Sequence, residues 1–229
     1  MRRELCWILV FCSIGFAGKS QVTLESGVLP VLNVNYKVNT NWRLNLKSEN
    51  RFAIWQVKPT AFSPAYELSD LSVVVSRKVG VTSSAVGGYL LRYRSGELYH
   101  RFIVQFSIVR KYRGIRLGHR VSMDHTLASV ERSVFRLRYR LTGEIALEGY
   151  ELDQKEWYLK PGIEFLQSLQ AGGYDLEGRL TTNLGYYFSD SNKLEFGVDY
   201  RLGDWLTTGG QSQNLWIKLE WYYQFGKRK

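Results

Sequence analysis

Apolar and polar side chains alternate along most of the chain with a period of two residues. In the stretch VFRLRYRLTG, residues 134–143, apolar residues hold one parity and arginines the other: Phe135, Leu137, Tyr139 and Leu141 against Arg136, Arg138 and Arg140. Because the side chains of a strand point alternately to its two faces, this stretch forms a strand with one apolar and one positively charged face. Either the apolar face covers a soluble core while the arginines bind phosphates, or it meets lipid while the arginines line a wet interior.

Eleven stretches share this alternation, which predicts an all-β protein. They are residues 29–38, 42–52, 70–79, 84–94, 99–110, 114–125, 133–143, 155–166, 174–188, 193–202 and 214–225. Most have about the 9–11 residues that a tilted strand needs to cross a membrane, or slightly more. A soluble ligand-binding barrel of the lipocalin type would point its apolar faces inward and have about eight strands. The strand count therefore favours a barrel with its apolar face outward.

The connections between these strands alternate in length, with two exceptions: the link 95–98 is short for an outer loop, and residues 141–155 are long for an inner turn. Short turns are expected at 39–41, around Gly80, at 111–113 and at 190–192, and longer links at 53–69, 126–132, 167–173 and 204–213. Barrels of the bacterial outer membrane have short periplasmic turns and long outer loops, so the alternation indicates this class. The link 53–69 could act as a lid, a plug or a docking surface for another envelope protein.

The direction of the strands affects their number. With the turn at 39–41 on the periplasmic side, the strand 29–38 runs inward, and an earlier strand must carry the chain outward. The stretch QVTLES, residues 21–26, is the candidate. Single-chain bacterial barrels have even numbers of strands. We therefore predict an antiparallel transmembrane β-barrel of about twelve strands, with ten as the alternative.

The N-terminal residues have the features of a secretion signal. Two basic residues, Arg2 and Arg3, precede an apolar run over residues 5–16, and small residues follow it. An apolar run of this length is too short to span a bilayer. We predict a cleaved signal peptide over residues 1–20, a single barrel domain over residues 21–229, and a location in the outer membrane of a gram-negative bacterium.

The composition agrees with an exported chain that folds without disulfides. Both cysteines, Cys6 and Cys12, lie in the predicted signal, so packing and hydrogen bonds must stabilise the mature chain. The formal net charge of +10 falls to +8 when the three basic residues and one acid of the signal are removed. No later stretch has the roughly 18 consecutive apolar residues of a transmembrane helix, so a mature chain in a membrane must cross it with strands.

Aromatic residues lie near the ends of the predicted strands. They are Tyr36, Trp42, Trp55, Tyr66, Tyr93, Tyr99, Trp157, Trp205, Trp221 and Tyr223. Outer-membrane barrels carry such residues as girdles at the two membrane interfaces, although aromatic residues also favour strands in general. The closing segment 214–225 resembles the terminal strand of these barrels, whose aromatic residues, here Trp221, Tyr223 and Phe225, are the signal read by the barrel assembly machinery.

If the apolar parity faces lipid, the charged parity faces the lumen, and its charges are unevenly spread. A basic wall is expected from Arg92, Arg94, Arg101, Arg116, Arg120, Arg136, Arg138 and Arg140, which share their side of the lumen with the single acid Asp124. A mixed wall that leans acidic is expected from Glu156, Glu164, Asp175, Glu177, Glu195, Asp199 and Glu220, with Lys160, Arg179, Lys193, Arg201 and Lys218 among them.

A lumen of this kind can be structural or functional. Long side chains from opposite walls can meet in an ion-pair network that fills a narrow barrel. Alternatively, the charges create a transverse field across a small aqueous pore, which biases passage toward small polar or anionic solutes. Barrels become clear water channels mainly at about 16 strands or more, so the filled lumen is the preferred expectation.

Catalysis and nucleic-acid binding are less consistent with the sequence. An enzyme that acts on lipid requires an activated nucleophile, and the chain has no GxSxG, HExxH or CxxC motif. His125 lies near Asp124, Ser122 and Ser129 in the sequence. These residues could form a Ser-His-Asp catalytic group only if the fold happened to bring their side chains together. The three histidines lack metal-ligand spacing. The predicted export removes the usual nucleic-acid target of a basic protein. No catalytic residue, metal, cofactor or nucleic-acid partner is predicted.

Several segments, in their order and spacing, are similar to one known family. They are NVNYKVNTNWRLNLKSENRF near the start, RLGHR and FRLRYRL in the middle, and NLWIKLEWYYQF at the end. The chain resembles the uncharacterised outer-membrane barrels grouped as the domain of unknown function numbered twenty-four ninety. This resemblance covers most of the chain after residue 20, and it implies a barrel but no established activity.

We therefore expect an outer-membrane barrel with an arginine-rich lumen and a structural or narrow-pore role. Its expected partners are outer-membrane lipid and the barrel assembly machinery. The alternatives are an outer-membrane enzyme that acts on lipid and a barrel subunit of a larger envelope complex, docked through the loop 53–69.

Overall fold

A computed structural model of the chain describes residues 23–57, 60–128, 133–170, 173–204 and 211–226. These residues form eleven strands: β1 (Thr23–Lys37), β2 (Trp42–Val57), β3 (Thr60–Lys78), β4 (Ser83–Arg94), β5 (Glu97–Tyr112), β6 (Ile115–Ala128), β7 (Val134–Ala146), β8 (Glu156–Gln170), β9 (Gly173–Ser189), β10 (Asn192–Gly203) and β11 (Ser212–Gly226). Among these residues there is no helix of the length and apolar character that crosses a bilayer. The predicted signal peptide, residues 1–20, lies outside the described residues.

The eleven strands of the described residues form one closed sheet. From β1 to β11, each strand pairs with the next in antiparallel fashion. The sheet closes through a parallel pairing of β1 with β11, which runs from Thr23 opposite Ser212 to Lys37 opposite Gly226. The predicted all-β barrel is confirmed, and it is mixed rather than purely antiparallel.

The predicted count of twelve strands is wrong for the described part of the chain, which contains eleven. From Thr23 onward, the stretch expected to be a separate first strand belongs to β1, which continues to Lys37. A bulge at Ser26 and Gly27, rather than a turn, interrupts the alternation there. An odd number is compatible with closure because the first and last strands of an odd meander run in the same direction and can pair in parallel.

The predicted long loop at residues 53–69 is also wrong. Strand β2 continues to Val57 and β3 begins at Thr60, so most of this segment is strand. Two irregularities in the β2–β3 register, at Arg51/Phe52 and between Ala53 and Trp55, shift the parity of the side chains and hide the strands from a search for a period of two. The ring centroids of Phe52 and Tyr66 lie 6.0 Å apart across this pair of strands.

The expected alternation of connection lengths is therefore not present. We call the barrel end with the 190–191 turn the lower end and the other the upper end. The longest lower connection, 147–155, has nine residues, and the longest upper connection, 204–211, has eight. The upper links 58–59, 95–96 and 171–172 have two residues each, because the strands extend into segments where loops were expected.

The outer surface of the barrel is apolar along the middle of the strands. On β10, the neighbouring residues Glu195 and Phe196 are 2% and 57% exposed, which places the carboxylate inside and the ring outside. The same division holds on β7, where Leu137 and Tyr139 are exposed on the outer face and Arg138 lines the interior. The apolar parity of the sequence is thus the outer parity of the barrel.

Outward aromatic residues cluster toward both ends of the barrel. At the lower end, ring centroids lie 5.1 Å apart for Tyr36 and Phe225 and 4.9 Å apart for Trp157 and Tyr186. At the upper end, the rings of Tyr66 and Tyr93 are 6.2 Å apart. Of the other residues expected in the girdles, Trp42, Trp55, Trp221 and Tyr223 are exposed. Tyr99 is instead buried and donates a hydrogen bond to Glu97 at 3.2 Å, and Trp205 lies outside the described residues.

A small apolar cluster fills part of the interior near the upper end. Leu29, Val31, Ala53 and Trp216 are buried together beside the parallel seam. Gly27 lies opposite Trp216 in the β1–β11 register, and a Cβ atom at Gly27 would lie 2.7 Å from the Trp216 ring. The absence of a side chain at Gly27 therefore lets the indole lie against β1.

Candidate functional site: the charged lumen

The side chains leave a cavity of about 640 Å³ inside the barrel, lined by residues from every one of the eleven described strands. Its charged lining residues are Lys47, Arg51, Arg92, Arg101, Arg120, Arg136, Arg138, Arg140, Lys160, Arg179, Arg201 and Lys218, with Glu49, Asp70, Asp124, Glu164, Asp199 and Glu220. Twelve basic groups against six acids give this cavity a formal charge of +6.

The excess positive charge lies on one wall. Strands β4 to β7 contribute six arginines and one acid, Asp124, to the cavity lining. The formal charge of this part of the lining is therefore +5. The other seven strands contribute six basic groups and five acids, which nearly cancel. The field across the lumen therefore points from the β4–β7 wall, which we call the arginine wall, toward the rest of the barrel.

Most of the arginines predicted for the basic wall lie on this surface. Arg92, Arg101, Arg120, Arg136, Arg138 and Arg140 line the cavity. Arg94 and Arg116 do not, because they lie at the last position of β4 and the second position of β6. Arg116 instead forms a salt bridge with Glu144 near the lower end, at 3.3 Å.

Asp124 is the acid around which the arginine wall is organised. Its side chain is buried, and it accepts a hydrogen bond from Arg136 Nε at 2.8 Å and another from Arg138. Arg101 Nε lies 3.5 Å from the same carboxylate and donates to Thr126 at 3.0 Å. One carboxylate thus faces three guanidinium groups, which makes Asp124 the shared acceptor of the arginine wall.

Glu164 connects the arginine wall to the mixed wall. It lies on β8, accepts a hydrogen bond from Arg140 Nε of β7 at 2.6 Å, and lies 3.3 Å from Arg179 Nη1 of β9. Arg179 also pairs with Glu177 on its own strand. The three neighbouring strands are therefore joined by a continuous chain of charge-assisted hydrogen bonds and ion pairs.

A second buried acid, Glu195, holds a cluster nearer the lower end. Tyr158 Oη donates to Glu195 at 2.7 Å, Lys160 Nζ at 2.7 Å and Asn183 Nδ2 at 2.8 Å. Lys160 also lies 3.0 Å from Tyr222 Oη. Beyond this cluster, toward the 190–191 turn, lies a smaller cavity of about 160 Å³, which shares Asn35, Lys160 and Tyr222 with the main one.

The other predicted acidic residues differ in position. Asp199 and Glu220 line the main cavity, where Asp199 forms a two-point contact with Arg201 at 2.9 Å and Glu220 pairs with Lys218. Asp175 and Glu156 lie at the third position of β9 and the first of β8, away from the cavity lining. Lys193, expected inside, lines the smaller cavity with Glu144.

Sequence reasoning missed the charged residues of β2 and β3. Asp70 receives two hydrogen bonds from Arg92, each of 2.7 Å, and Glu49 lies between Lys47 and Arg51 at 2.8 and 3.0 Å. The signal was weaker than in β7, because the residues that alternate with Lys47, Glu49 and Arg51 include the polar Ser48 and Asn50 as well as the apolar Leu46 and Phe52. These residues complete the ring of lining residues around the cavity.

The three aromatic residues of the predicted assembly signal lie outside the lumen. Trp221, Tyr223 and Phe225 are exposed on the outer face of β11. The ring of Phe225 contacts Tyr36 on β1 and lies 5.8 Å from that of Tyr223. The end of the last strand is therefore joined to the first strand by an aromatic contact as well as by the parallel pairing.

With the barrel and its lumen described, the chain can be compared with known proteins. The profile of the family described as Protein of unknown function (DUF2490) matches residues 27–227. The chain is a member of the DUF2490 family. The match runs from β1 to the end of β11 and so covers nearly the whole barrel, which confirms the resemblance seen in the sequence. No curated protein matches the chain.

The ion pairs of this DUF2490 protein follow the wall rather than cross the lumen. Those described join residues of one strand, of adjacent strands, or of strands up to three apart, as in the pair of Lys193 with Glu144. None of the described pairs connects β3 with β8 or another opposite combination. The network therefore braces the sheet around the cavity, unlike the expected contact between opposite walls.

The possible catalytic group around His125 is not assembled in the described part of this DUF2490 protein. Asp124 is buried inside the barrel, whereas His125, the next residue, is exposed on the other face of β6. Successive side chains of a strand point in opposite directions, so the two cannot form a hydrogen-bonded dyad. Ser122 faces the cavity with Asp124, and Ser129 lies outside the described residues.

Proposed function

We propose that this DUF2490 protein is a barrel of the gram-negative outer membrane that provides a narrow, anion-preferring passage for small polar solutes, without catalysis. The observation that carries the proposal is the cavity with a formal charge of +6, bounded by all eleven described strands of a barrel whose outer face is apolar. In this proposal the barrel assembly machinery inserts the chain after its signal is removed.

The outer face supports a membrane location. Large apolar side chains such as Phe102, Val104 and Phe196 are more than half exposed in the middle of their strands. An apolar surface this extensive is rare on proteins that face water, and burying it in lipid contributes about 25 cal/mol per Å². Aromatic residues near both barrel ends agree with residues that lie at the two interfaces of a bilayer.

The interior supports passage of small anions. The six positive charges that are not balanced within the cavity lower the energy of an anion and raise that of a cation at the same position. Eleven strands are fewer than the roughly 16 of wide water channels, so only small solutes fit beside the lining side chains.

Arg120 allows a test of this proposal without breaking an ion pair. The protein, purified in folded form, is inserted into a planar bilayer, and the reversal potential is measured under a KCl gradient. We expect anion preference in the natural chain and a weaker preference in Arg120→Glu, which lowers the formal charge of the cavity by two. The matched control is Arg110→Glu, because Arg110 is exposed on the outer face of β5 near the lower end.

Four outcomes would contradict the proposal. Folded protein that inserts but shows no conductance would favour a structural role, in which the arginine wall braces the barrel. Channels with cation preference, or with the same selectivity in both variants, would show that the charge of the lumen does not control passage. Recovery of the chain outside the outer-membrane fraction would contradict the proposed location.

A further inference from the structure

One arginine of the lumen differs from all the others. Of the twelve basic side chains that line the main cavity, eleven have a carboxylate within salt-bridge distance in the described structure. Arg120 is the exception: within the described residues it has neither a salt bridge nor a side-chain hydrogen bond. Its side chain is exposed to the space of the cavity.

The neighbours of Arg120 increase the local positive charge. Arg120 lies directly opposite Arg140 in the β6–β7 register, and the next inward pair is Ser122 opposite Arg138. Two like charges directly opposite each other on one face of a sheet destabilise it. Arg140 forms a salt bridge with Glu164 on β8, whereas Arg120 has no described carboxylate within salt-bridge distance.

Several donors of Arg120, Ser122 and Arg138, on the neighbouring strands β6 and β7, have no described partner. Arg138 lines the cavity and uses one terminal nitrogen for Asp124, and its other terminal nitrogen has no hydrogen bond among the described residues. The hydroxyl of Ser122 has no hydrogen-bond partner among the described residues, and it lies on the same face between Arg120 and Asp124. Donors that face the cavity and have no protein partner are available to an acceptor that enters the lumen.

We infer that Arg120, Ser122 and Arg138 form a binding site for a phosphate-type oxyanion inside the lumen. A planar carboxylate is fully engaged by one guanidinium fork. A tetrahedral oxyanion presents further oxygens to a second guanidinium and to a hydroxyl on a different strand. The inference rests on the proposed function and deepens it, since a solute reaches these residues only through the lumen, and it assigns phosphate-bearing solutes as the preferred class.

The test is equilibrium binding of inorganic phosphate to the full chain, folded in detergent, measured by titration calorimetry at low salt. We expect saturable binding that weakens at least about tenfold in Arg120→Gln, because a charge-assisted hydrogen-bond pair is lost. Arg120→Lys, which keeps the charge but not the fork, should give an intermediate affinity. Arg110→Gln removes a positive charge outside the barrel and should leave binding unchanged.

Acetate serves as the comparison ligand. Absence of phosphate binding, equal binding by Arg120→Gln, or acetate binding as tight as phosphate binding would overturn the inference. Because binding is measured without a membrane, its result is separate from that of the conductance experiment. Conductance without phosphate binding would reject the site and keep the pore, and phosphate binding without conductance would reject the pore and keep the site.

Discussion

The ring of Tyr158 on β8 lies directly over the backbone of Gly185 on β9. The two residues are opposite each other in the β8–β9 register, and a Cβ atom at Gly185 would lie 2.2 Å from Tyr158 Cζ. Tyr158 is fully buried, and its hydroxyl donates to Glu195. Gly185 therefore determines where the ring of Tyr158 lies, and this position lets the hydroxyl of Tyr158 donate to Glu195.

Gly185→Ala should destabilise the barrel by about 1–3 kcal/mol, because the added methyl group forces the ring of Tyr158 out of its position. The measurement is guanidinium unfolding of the protein in lipid vesicles, followed by tryptophan fluorescence. Gly87→Ala is the matched control, since a Cβ atom at Gly87 would have no atom within 4 Å. The control should be neutral or up to about 1 kcal/mol more stable. Equal effects of the two substitutions would contradict the proposed contact.

Tyr158→Phe should destabilise the barrel by about 1.5–3 kcal/mol, the range for a lost hydrogen bond to a charged group. The ring stays in place, but Glu195 loses one of its three donors. Tyr174→Phe is the control, because Tyr174 is exposed on the outer face of β9. The free energies of unfolding of both variants are compared with that of the natural chain. A loss as large in Tyr174→Phe would mean that the hydroxyl of Tyr158 has no special role.

Asp124→Asn should be among the most destabilising conservative changes in the lumen. The substitution keeps the shape of the side chain but leaves Arg101, Arg136 and Arg138 facing one another without a counter-charge. Removing one partner of a buried charged network costs about 3–5 kcal/mol. Asp153→Asn, at an exposed position between β7 and β8, should change stability by less than about 0.5 kcal/mol. The prediction fails if the midpoints of unfolding of the two variants coincide.

Leu219→Arg tests the membrane face. Leu219 is exposed at the centre of β11, where an arginine that faces lipid should cost about 2–4 kcal/mol. Leu98→Arg, at the second position of β5, places the same charge near the barrel end and should cost at most about 1 kcal/mol. Both are measured by reversible unfolding from lipid vesicles. If the two costs are equal, the apolar belt does not lie in the hydrocarbon region.

The alternation in the sequence was sufficient to predict a barrel and most of its inward arginines. In β7, each Arg lies between two apolar residues, so parity alone places Arg136, Arg138 and Arg140 inside. The strand count was not accessible in this way. The bulges near Gly27 and Phe52 shift the parity and make continuous strands look like a strand and a loop.

The pairing of charges inside the lumen could not be predicted either. The sequence shows that Asp124 shares a face with several arginines, but not which of them bind it. That choice depends on the register between strands, which puts Asp124 opposite Arg136 and puts Arg120 opposite Arg140. The register is a property of pairs of strands, so the unpaired state of Arg120 appears only in the closed sheet.

The parallel seam between β1 and β11 also constrains the order in which the barrel forms. All antiparallel pairs join strands that follow each other in the chain, so each can form by local hairpin closure. The seam joins Thr23 to Ser212, close to the two termini of the described chain. Pairing residues so distant in sequence carries the largest loss of chain entropy. We therefore expect a curved, open sheet to exist before the cylinder, with unsatisfied strand edges at β1 and β11 until the last strand arrives.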